Sequence, residues 1–587
     1  MLFLDDDVGG AARLKSNVEK RLHLVPLLSE LEGRRAARGE PVPLEVVRAS
    51  TLPPGESYFA THAGSPLRSR LHPNLLGEST LGGGRVLHEV VAEFEWDASV
   101  TPLTGANHTL FDLVQDRDEV PSVRVNYHAV CVTRGDPANA TFWHVTDLHV
   151  AKRNDVILSE VLKELRGSSS ERAQEFVDKL RRTKGVPLEE RFVNINDNLR
   201  RFVTRSNEAA RRGQLDLVFA TGDLVDYCIP SDGGSSVTDF RYENTNWVKL
   251  HDLLLGRDGM PPESSESGEE LLVPLVTTVG NHDYRAYHYS IQWGGLFRLV
   301  GLRFLEALCY KDSVPATPVT ALVHGPKCLS GYWREFSPFA DHAFQWGDSV
   351  AFFSLDTGKD SFLAFRDLLL GGPALDGLSD RQVDWLHWNL SALGSVPPQV
   401  FVFMHAPAVN VAPRSKAWEK LRAFFARKKT PVKELVEEHL KESYLRSAGL
   451  QDPRVDALVD CKHGTITKNW DAFLAFAWET RAVVLAGHTH RVKEFRGAAA
   501  EQKTSTLTAV PFVPTKVENP LALYFDDYSS RRPPPTPAWL EENKPFFLQT
   551  NACGPNSYRG KRPGGGFREL QCRGGRLASF GIRTLQE

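Results

Sequence analysis

Five short apolar runs in the middle of the chain end abruptly in polar residues. Thr141 to Thr146 leads into Asp147-Leu-His149, and Leu215 to Thr221 into Gly222-Asp223-Leu-Val-Asp226. Leu271 to Val279 leads into Gly280-Asn281-His282-Asp283, Gln399 to Met404 into His405, and Arg481 to Ala486 into Gly487-His488-Thr-His490. Short runs rich in β-branched and aromatic residues read as buried strands. Charged stretches of helical character lie between them, such as Glu160 to Arg212. Residues 136–500 therefore predict an α/β unit with helical insertions. Residues 1–135 predict a β-rich N-terminal module. Its leader, Ala11 to Gly39, reads as helical, while Val86 to Trp96 and Val123 to Val132 alternate as half-buried strands. Residues 501–587 predict a β-rich C-terminal segment, with strands at Thr506 to Phe512, Pro545 to Thr550 and Arg576 to Ile582. Pro261 to Glu270 reads as an acidic, Ser-rich loop with no core-forming residues, and Pro413 to Asn469 as basic, amphipathic helices, including Ala417 to Lys428 and Val432 to Leu445.

Composition narrows the class. The 587 residues are enough for two to four domains at roughly 100–200 residues each. Hydrophobic residues make up 41% and charged residues 24%, which excludes a disordered, collagenous or coiled-coil chain. Lys+Arg number 70 against 73 Asp+Glu, a net charge of −3 that announces no nucleic-acid footprint over the whole surface. No apolar run approaches the ~20 residues a spanning helix needs. Met1-Leu-Phe-Leu meets Asp5, Asp6 and Asp7 at once, unlike an export signal. Seven scattered Cys without a CxxC pair favour a reducing compartment, so a cytoplasmic location is expected. Cys553 and Cys572 would be candidates for pairing only in an exported protein.

In α/β sheets, ligands bind beyond the carboxyl ends of the strands. Five such ends offer carboxylate oxygens, imidazole nitrogens and one amide oxygen, and no thiolate. That donor set suits two divalent or trivalent ions such as Mn, Fe or Zn. Asp147, His149, Asp223 and His490 make one four-ligand site. Asp223, Asn281, His405 and His488 make another, with Asp223 shared. A shared carboxylate holds two cations about 3.5–4 Å apart, the spacing of two-metal hydrolysis. The glycines before Asp223, Asn281 and His488 fit turns where the backbone must come close. Each fragment alone has an ordinary explanation: DxH is common, GDxxD is often a turn, and a lone His usually packs in a core. Their joint order and placement decide for a metal centre.

In this order, DLH, GDLVD, GNHD, a lone His and GHTH resemble the calcineurin-like metallophosphoesterases, over about Phe142 to Glu494. The resemblance implies a four-layer α/β/β/α sandwich around a dinuclear centre, with the ligand sets above. Ser379 to Leu386 is similar to the family's surface helix after the strand Ser349 to Asp356. Purple acid phosphatases carry Tyr where this chain has Asp226 and lack the His at 149, so a tyrosinate-ligated iron is not expected. Protein Ser/Thr phosphatases carry Arg and Glu where this chain has Tyr227 and Asp283. The pattern that remains resembles the broad bacterial-type group of cyclic-nucleotide phosphodiesterases and general phosphatases.

The expected reaction is hydrolysis of a phosphate mono- or diester by in-line attack of a metal-bridging hydroxide. His282 follows Asn281 directly and is expected to stabilise the transition state or protonate the leaving oxygen. Asp226 is its orienting partner by resemblance. Tyr284, Arg285 and His288 are secondary candidates for reaching a phosphate, and the Arg and Lys residues between Arg559 and Arg583 for a basic surface. The expected partner is a small anionic phosphoester, with nucleic acid permitted but not favoured and no membrane. The alternatives are a nuclease or cyclic-nucleotide phosphodiesterase using the same centre, and a non-catalytic scaffold. A nuclease should show an extended basic channel, and a scaffold should have lost ligands, yet every proposed ligand is present.

Overall fold

The computed structural model describes residues 2–5, 15, 18–51, 59–61, 65–71, 86–97, 106–116, 124–159, 193–230, 239–287, 322–364, 373–410, 412–413, 459–460, 463–499, 510–512, 521–525, 527–554 and 565–586. The segments Ala417 to Lys428 and Val432 to Leu445, most of Glu160 to Arg212 ahead of residue 193, residues 506–509, His288, Arg559, Lys561 and Arg562 lie outside them.

Fifteen strands build two large sheets. In chain order they are β1 (Phe59–Thr61), β2 (Arg68–Leu71), β3 (Thr141–Thr146), β4 (Leu217–Thr221), β5 (Leu275–Thr278), β6 (Phe339–Trp346), β7 (Val350–Leu355) and β8 (Gln399–Met404). They continue with β9 (Val483–Ala486), β10 (Lys493–Ala499), β11 (Val510–Phe512), β12 (Leu521–Phe525), β13 (Phe546–Gln549), β14 (Gly566–Arg573) and β15 (Arg576–Thr584). One sheet has the order β5-β4-β3-β14-β15, and the other β11-β12-β10-β13-β9-β8-β7-β6-β2-β1. The strands that carry the motifs pair in parallel, β3 with β4, β4 with β5, and β8 with β9, and β7 joins β8 in parallel as well. The fold is mixed α/β with several sheets.

The continuous apolar runs follow from burial on both faces of each sheet, the usual reason a parallel strand loses its polar alternation. Alternate residues face different cores. Phe142 and Phe219 from one sheet meet Phe352, Phe401 and Phe403 from the other in a shared aromatic core. Phe219 stacks on Phe403 with ring centroids 3.7 Å apart. The intervening Trp143, Val145, Val218 and Ala220 pack outward with side chains from helices α1 (Asn196–Arg211) and α2 (Asn246–Leu254). On the other sheet, Phe353, Val402 and Val484 face outward toward helices α3 (Asp380–Ala392) and α4 (Trp470–Glu479). Helix α3 begins on a capping box in which Ser379 and Gln382 each bond the other's backbone N–H. No helix among the described residues is long and apolar enough to cross a membrane.

The strand ends lie level. Thr146 pairs with Thr221, and Thr221 with Thr278, so Asp147, Gly222 and Val279 leave one sheet at the same edge. Leu355 pairs with Met404 in the other sheet, and Phe403 with Leu485.

Several expectations change. The helical reading of Ala11 to Gly39 is overturned: residues 18–21 are helical, but Leu22–Glu32 and Arg35–Arg38 are strands paired to each other. The longer of the two also pairs with His108–Gln115. Leu22 and Leu24 are buried on either side of the more exposed His23, a period of two, and Pro26 lacks the N–H a helix interior needs. The loop ending at Glu270 does reach the interior. Glu270 is wholly buried, accepts hydrogen bonds from Ala36 N (2.9 Å), Arg38 Nη1 (2.8 Å) and Arg38 Nη2 (2.6 Å), and lies 3.0 Å from His128 Nε2. A paired charge can be buried where a lone one cannot. Arg568 adds nothing to a basic surface, because it is buried against Glu494 at 2.6 Å. Cys553 and Cys572 are buried free thiols. The C-terminal strands are woven into the central sheets: β14 lies against β3, and β13 between β9 and β10.

Candidate metal centre

The loops after the level strand ends are laced together by backbone. Asp147 N donates to Gly222 O (3.1 Å), His149 N to Asp223 O (2.8 Å), Gly222 N to Thr278 O (2.8 Å) and Gly487 N to His405 O (3.0 Å). Asp283 binds the GNHD turn to the neighbouring loop. Its carboxylate accepts from Gly280 N (2.7 Å), Val225 N (2.9 Å) and Leu224 N (3.3 Å). Five of the residues at issue adopt left-handed backbone: Asp147 (φ 53°), His149 (48°), Asp223 (48°), His488 (67°) and His490 (56°). This region is uncommon for non-glycine residues, and such strain gathers at functional sites.

The glycines are explained mainly by crowding. A Cβ on Gly280 would lie 2.5 Å from Asp223 Oδ1, and one on Gly222 2.5 Å from His405 Cγ. Gly222 alone of the three motif glycines also has a positive φ, 71°.

The side chains converge. Asp147, His149, Asp223 and His490 offer ligand atoms within 4.8 Å of one another, and so do Asp223, His405 and His488. Asn281 Oδ1 lies 3.1 Å from both His405 Nε2 and His488 Nδ1. Asp223 stands between the two groups, with Oδ1 3.2 Å from His405 Nε2 and Oδ2 3.7 Å from His149 Nε2. His490 Nε2 lies 3.3 Å from Asp147 Oδ1.

Three imidazoles have one nitrogen committed behind the cluster, which fixes the nitrogen presented in front. His405 Nδ1 is on Thr221 O (2.9 Å), His488 Nε2 on Pro373 O (2.7 Å), and His149 Nδ1 on Asp226 Oδ1 (3.1 Å). His149 Nε2 then faces His490 Nε2 at 3.1 Å, a contact that only a shared proton or a shared cation makes favourable. The donor set, oxygen and imidazole nitrogen without sulfur, fits divalent first-row metals.

Electrostatics agree with that fit. Burial opposes the charge on Asp223, but His405, His282 and His149 hold its carboxyl well below the usual range. Burial likewise opposes charge on Asp147, yet His490 and His405 bring it down to about 2. His405 is pushed down by burial, but Asp223 and Asp147 lift it to about 9. Burial takes His488 to about 4, with the nearby His405 adding to the effect. A pocket that retains protons on His405 attracts cations.

A third group, His149, Asp226 and His282, is also close enough to hold an ion. It reads better as a hydrogen-bonded hub. Asp226 Oδ1 lies 3.1 Å from the Nδ1 atoms of both His149 and His282, while Asp226 Oδ2 accepts from Arg153 Nη2 at 2.8 Å. Arg285 Nη1 is 2.6 Å from His282 Nε2. Two guanidinium groups at this spot disfavour another cation. Asp226, expected to serve His282, thus touches a proposed metal ligand as well.

Sequence reasoning missed Asp360. It is buried, accepts from Asn281 Nδ2 (2.7 Å) and forms a fork with Arg285. Thr146 was missed too; its Oγ1 lies 2.6 Å from Thr221 O and 3.0 Å from Asp147 Oδ2. Neither carries a motif signal, since one sits in an ordinary Gly-Lys-Asp loop and the other closes an apolar strand.

No curated protein matches the chain. Among solved structures, one titled "GAP50 the anchor in the inner membrane complex of Plasmodium" aligns at 10% identity and a TM-score of 0.24, over 66% of this chain and 79% of that one. The family model described as calcineurin-like phosphoesterase matches residues 140–369, which include Asp147, His149, Asp223, Asn281 and His282 and stop short of His405, His488 and His490. By that match, residues 140–369 are similar to the calcineurin-like phosphoesterases.

Proposed function

We propose that this protein is a metal-dependent phosphoesterase that hydrolyses a small anionic phosphate mono- or diester. We further propose that its two sheets and flanking helices form a four-layer α/β/β/α sandwich, completed by strands from the C-terminal segment. The observation that carries the reading is the meeting of seven donor side chains from five strand ends around one shared carboxylate, Asp223.

Asp147, His149, Asp223 and His490 would hold one ion, and Asp223, Asn281, His405 and His488 the other. Ions bound there supply an activated water near neutral pH and neutralise charge on phosphoryl oxygens. The chain's own residues do the rest. Asp226 holds the His282 ring through Nδ1, which leaves Nε2 on the Asp223 side, 3.9 Å from Asp223 Oδ2. His282 Nε2 would stabilise the transition state or pass a proton to the leaving oxygen only after exchanging its 2.6 Å contact with Arg285 Nη1 for the substrate. Thr221 O, Pro373 O and Asp226 keep His405, His488 and His149 in the tautomers that present a lone pair to the centre.

The test is a turnover screen of manganese-loaded protein against an aryl phosphate, an aryl phosphodiester, cyclic nucleotides and single-stranded DNA. Turnover of a small ester with about two equivalents of bound manganese supports the reading. Cleavage of DNA alone would favour a nuclease, and bound metal without turnover on any substrate would favour a scaffold.

A further inference from the structure

Arg285 stands where three groups meet. Its Nε and Nη2 each donate to Asp360 at 2.9 Å, and its Nη1 lies 2.6 Å from His282 Nε2. Asp360 is buried, and its Oδ1 also accepts from Asn281 Nδ2 at 2.7 Å. One carboxylate therefore fixes two side chains directed at the same place. Asn281 turns its oxygen to His405 and His488, and Arg285 turns its third nitrogen to the imidazole nitrogen nearest Asp223.

A buried ion pair is a poor source of stability, because desolvation of both partners offsets the attraction. The location of this pair suggests another use. It abuts the donor cluster and touches the one histidine of the GNHD turn that is not assigned to a metal. A guanidinium held in a fork keeps both its plane and its charge fixed, which suits recognition of phosphoryl oxygens. Arg153 is placed differently, since its Nη2 is bonded to the far oxygen of Asp226, behind the two imidazoles.

We propose that Arg285 binds a phosphoryl oxygen of the substrate, and that Asp360 is the positioning residue that holds Arg285 and Asn281 in place together. This inference rests on the phosphoesterase reading above. It adds a division of labour: Arg285 serves the anion alone, whereas Asp360 serves both the anion and the metal.

The experiment is calorimetric titration of the full chain, first with manganese and then, at saturating manganese, with inorganic phosphate. Arg285→Met should leave manganese binding unchanged and weaken phosphate by about 10- to 100-fold, the range for a lost charge-assisted hydrogen bond. Asp360→Asn should weaken phosphate as well, and manganese by about 10- to 100-fold, as expected when the partner behind a metal ligand is altered. Arg285→Lys keeps a cation beside Asp360 and preserves the core, yet loses the fork. It should show the same selective loss of phosphate and carries the test if Arg285→Met fails to fold.

Wild-type phosphate affinity in the Arg285 variants would overturn the role of Arg285. Unchanged manganese affinity in Asp360→Asn would overturn the dual role of Asp360. Manganese-loaded wild type that binds no phosphate and hydrolyses no ester would overturn the phosphoesterase reading, and this inference with it.

Discussion

Gly487→Ala adds one methyl group where the two sheets come closest to the centre. That Cβ would lie 1.8 Å from Thr146 Oγ1, 2.6 Å from Asp147 Oδ2 and 2.8 Å from Thr146 Cβ. None of these atoms can yield cheaply. Thr146 Oγ1 is held between Thr221 O and the Asp147 carboxylate, which also accepts from His488 N at 3.0 Å. Overpacking a close-packed site costs about 1–3 kcal/mol. Driving Asp147 off His488 N–H removes a charged hydrogen bond worth about 1.5–3 kcal/mol. The two effects together destabilise by about 2.5–6 kcal/mol. If about 3 kcal/mol of this falls on the Asp147 ligand, manganese affinity drops about 100-fold. Gly581→Ala is the control: like Gly487 it has no positive φ, but nothing lies within 4 Å of a built Cβ, so it adds a methyl group without crowding. The assay is manganese titration alongside thermal melting for both variants. A Gly487→Ala protein that binds manganese and melts like Gly581→Ala would refute the crowding argument.

Asp223→Asn should weaken both metal positions at once, since one carboxylate faces His405 on one side and His149 on the other; metal analysis that still returns full stoichiometry would count against a shared ligand. His282→Ala should retain the metals and lose about 100- to 10,000-fold in turnover, the usual range for a positioned acid or base; departure of the metals would show that the ring does something else. Glu270 offers a pH test where it meets Ala36, Arg38 and His128. Burial opposes its charge, but Arg38 and His128 bring its carboxyl from 4.5 down to about 2. A depressed folded-state value gives stability that is complete above about pH 4.5 and fades as pH falls toward 2. Acid melting of Glu270→Gln should lack that component of the slope; an identical acid limb in both proteins would contradict it.

Much of the centre could be read from the chain because each donor follows an apolar run directly. The β3, β4 and β8 runs owe that pattern to burial on two faces, and a parallel register brings their ends level. The supporting residues were harder to find. Asp360 and Thr146 act through contacts distant in sequence, and an aspartate in a Gly-Lys-Asp loop has no local mark of such a role. The second use of Asp226 was hidden because a carboxylate's two oxygens can serve several partners, and only geometry says which. Leu22–Glu32 misled because its charged flanks suggested a helix, while Leu22, Leu24 and Pro26 recorded the strand. The pairing of β14 with β3 joins residues more than 400 positions apart, a distance over which periodicity carries no information.

That pairing ties the order of synthesis to the order of assembly. Strand β3 receives one neighbour, β4, early, but its other edge waits for β14, and the backbone at Thr146 and Asp147 waits for Cys553 and Gly554 to donate to it. On a ribosome adding about 5–20 residues per second, that edge stays open while most of the polypeptide emerges. An unpaired strand edge recruits other chains. The nascent protein should therefore depend on a chaperone until these strands arrive, and a premature stop codon just ahead of β14 should yield inclusion bodies instead of a shortened folded chain.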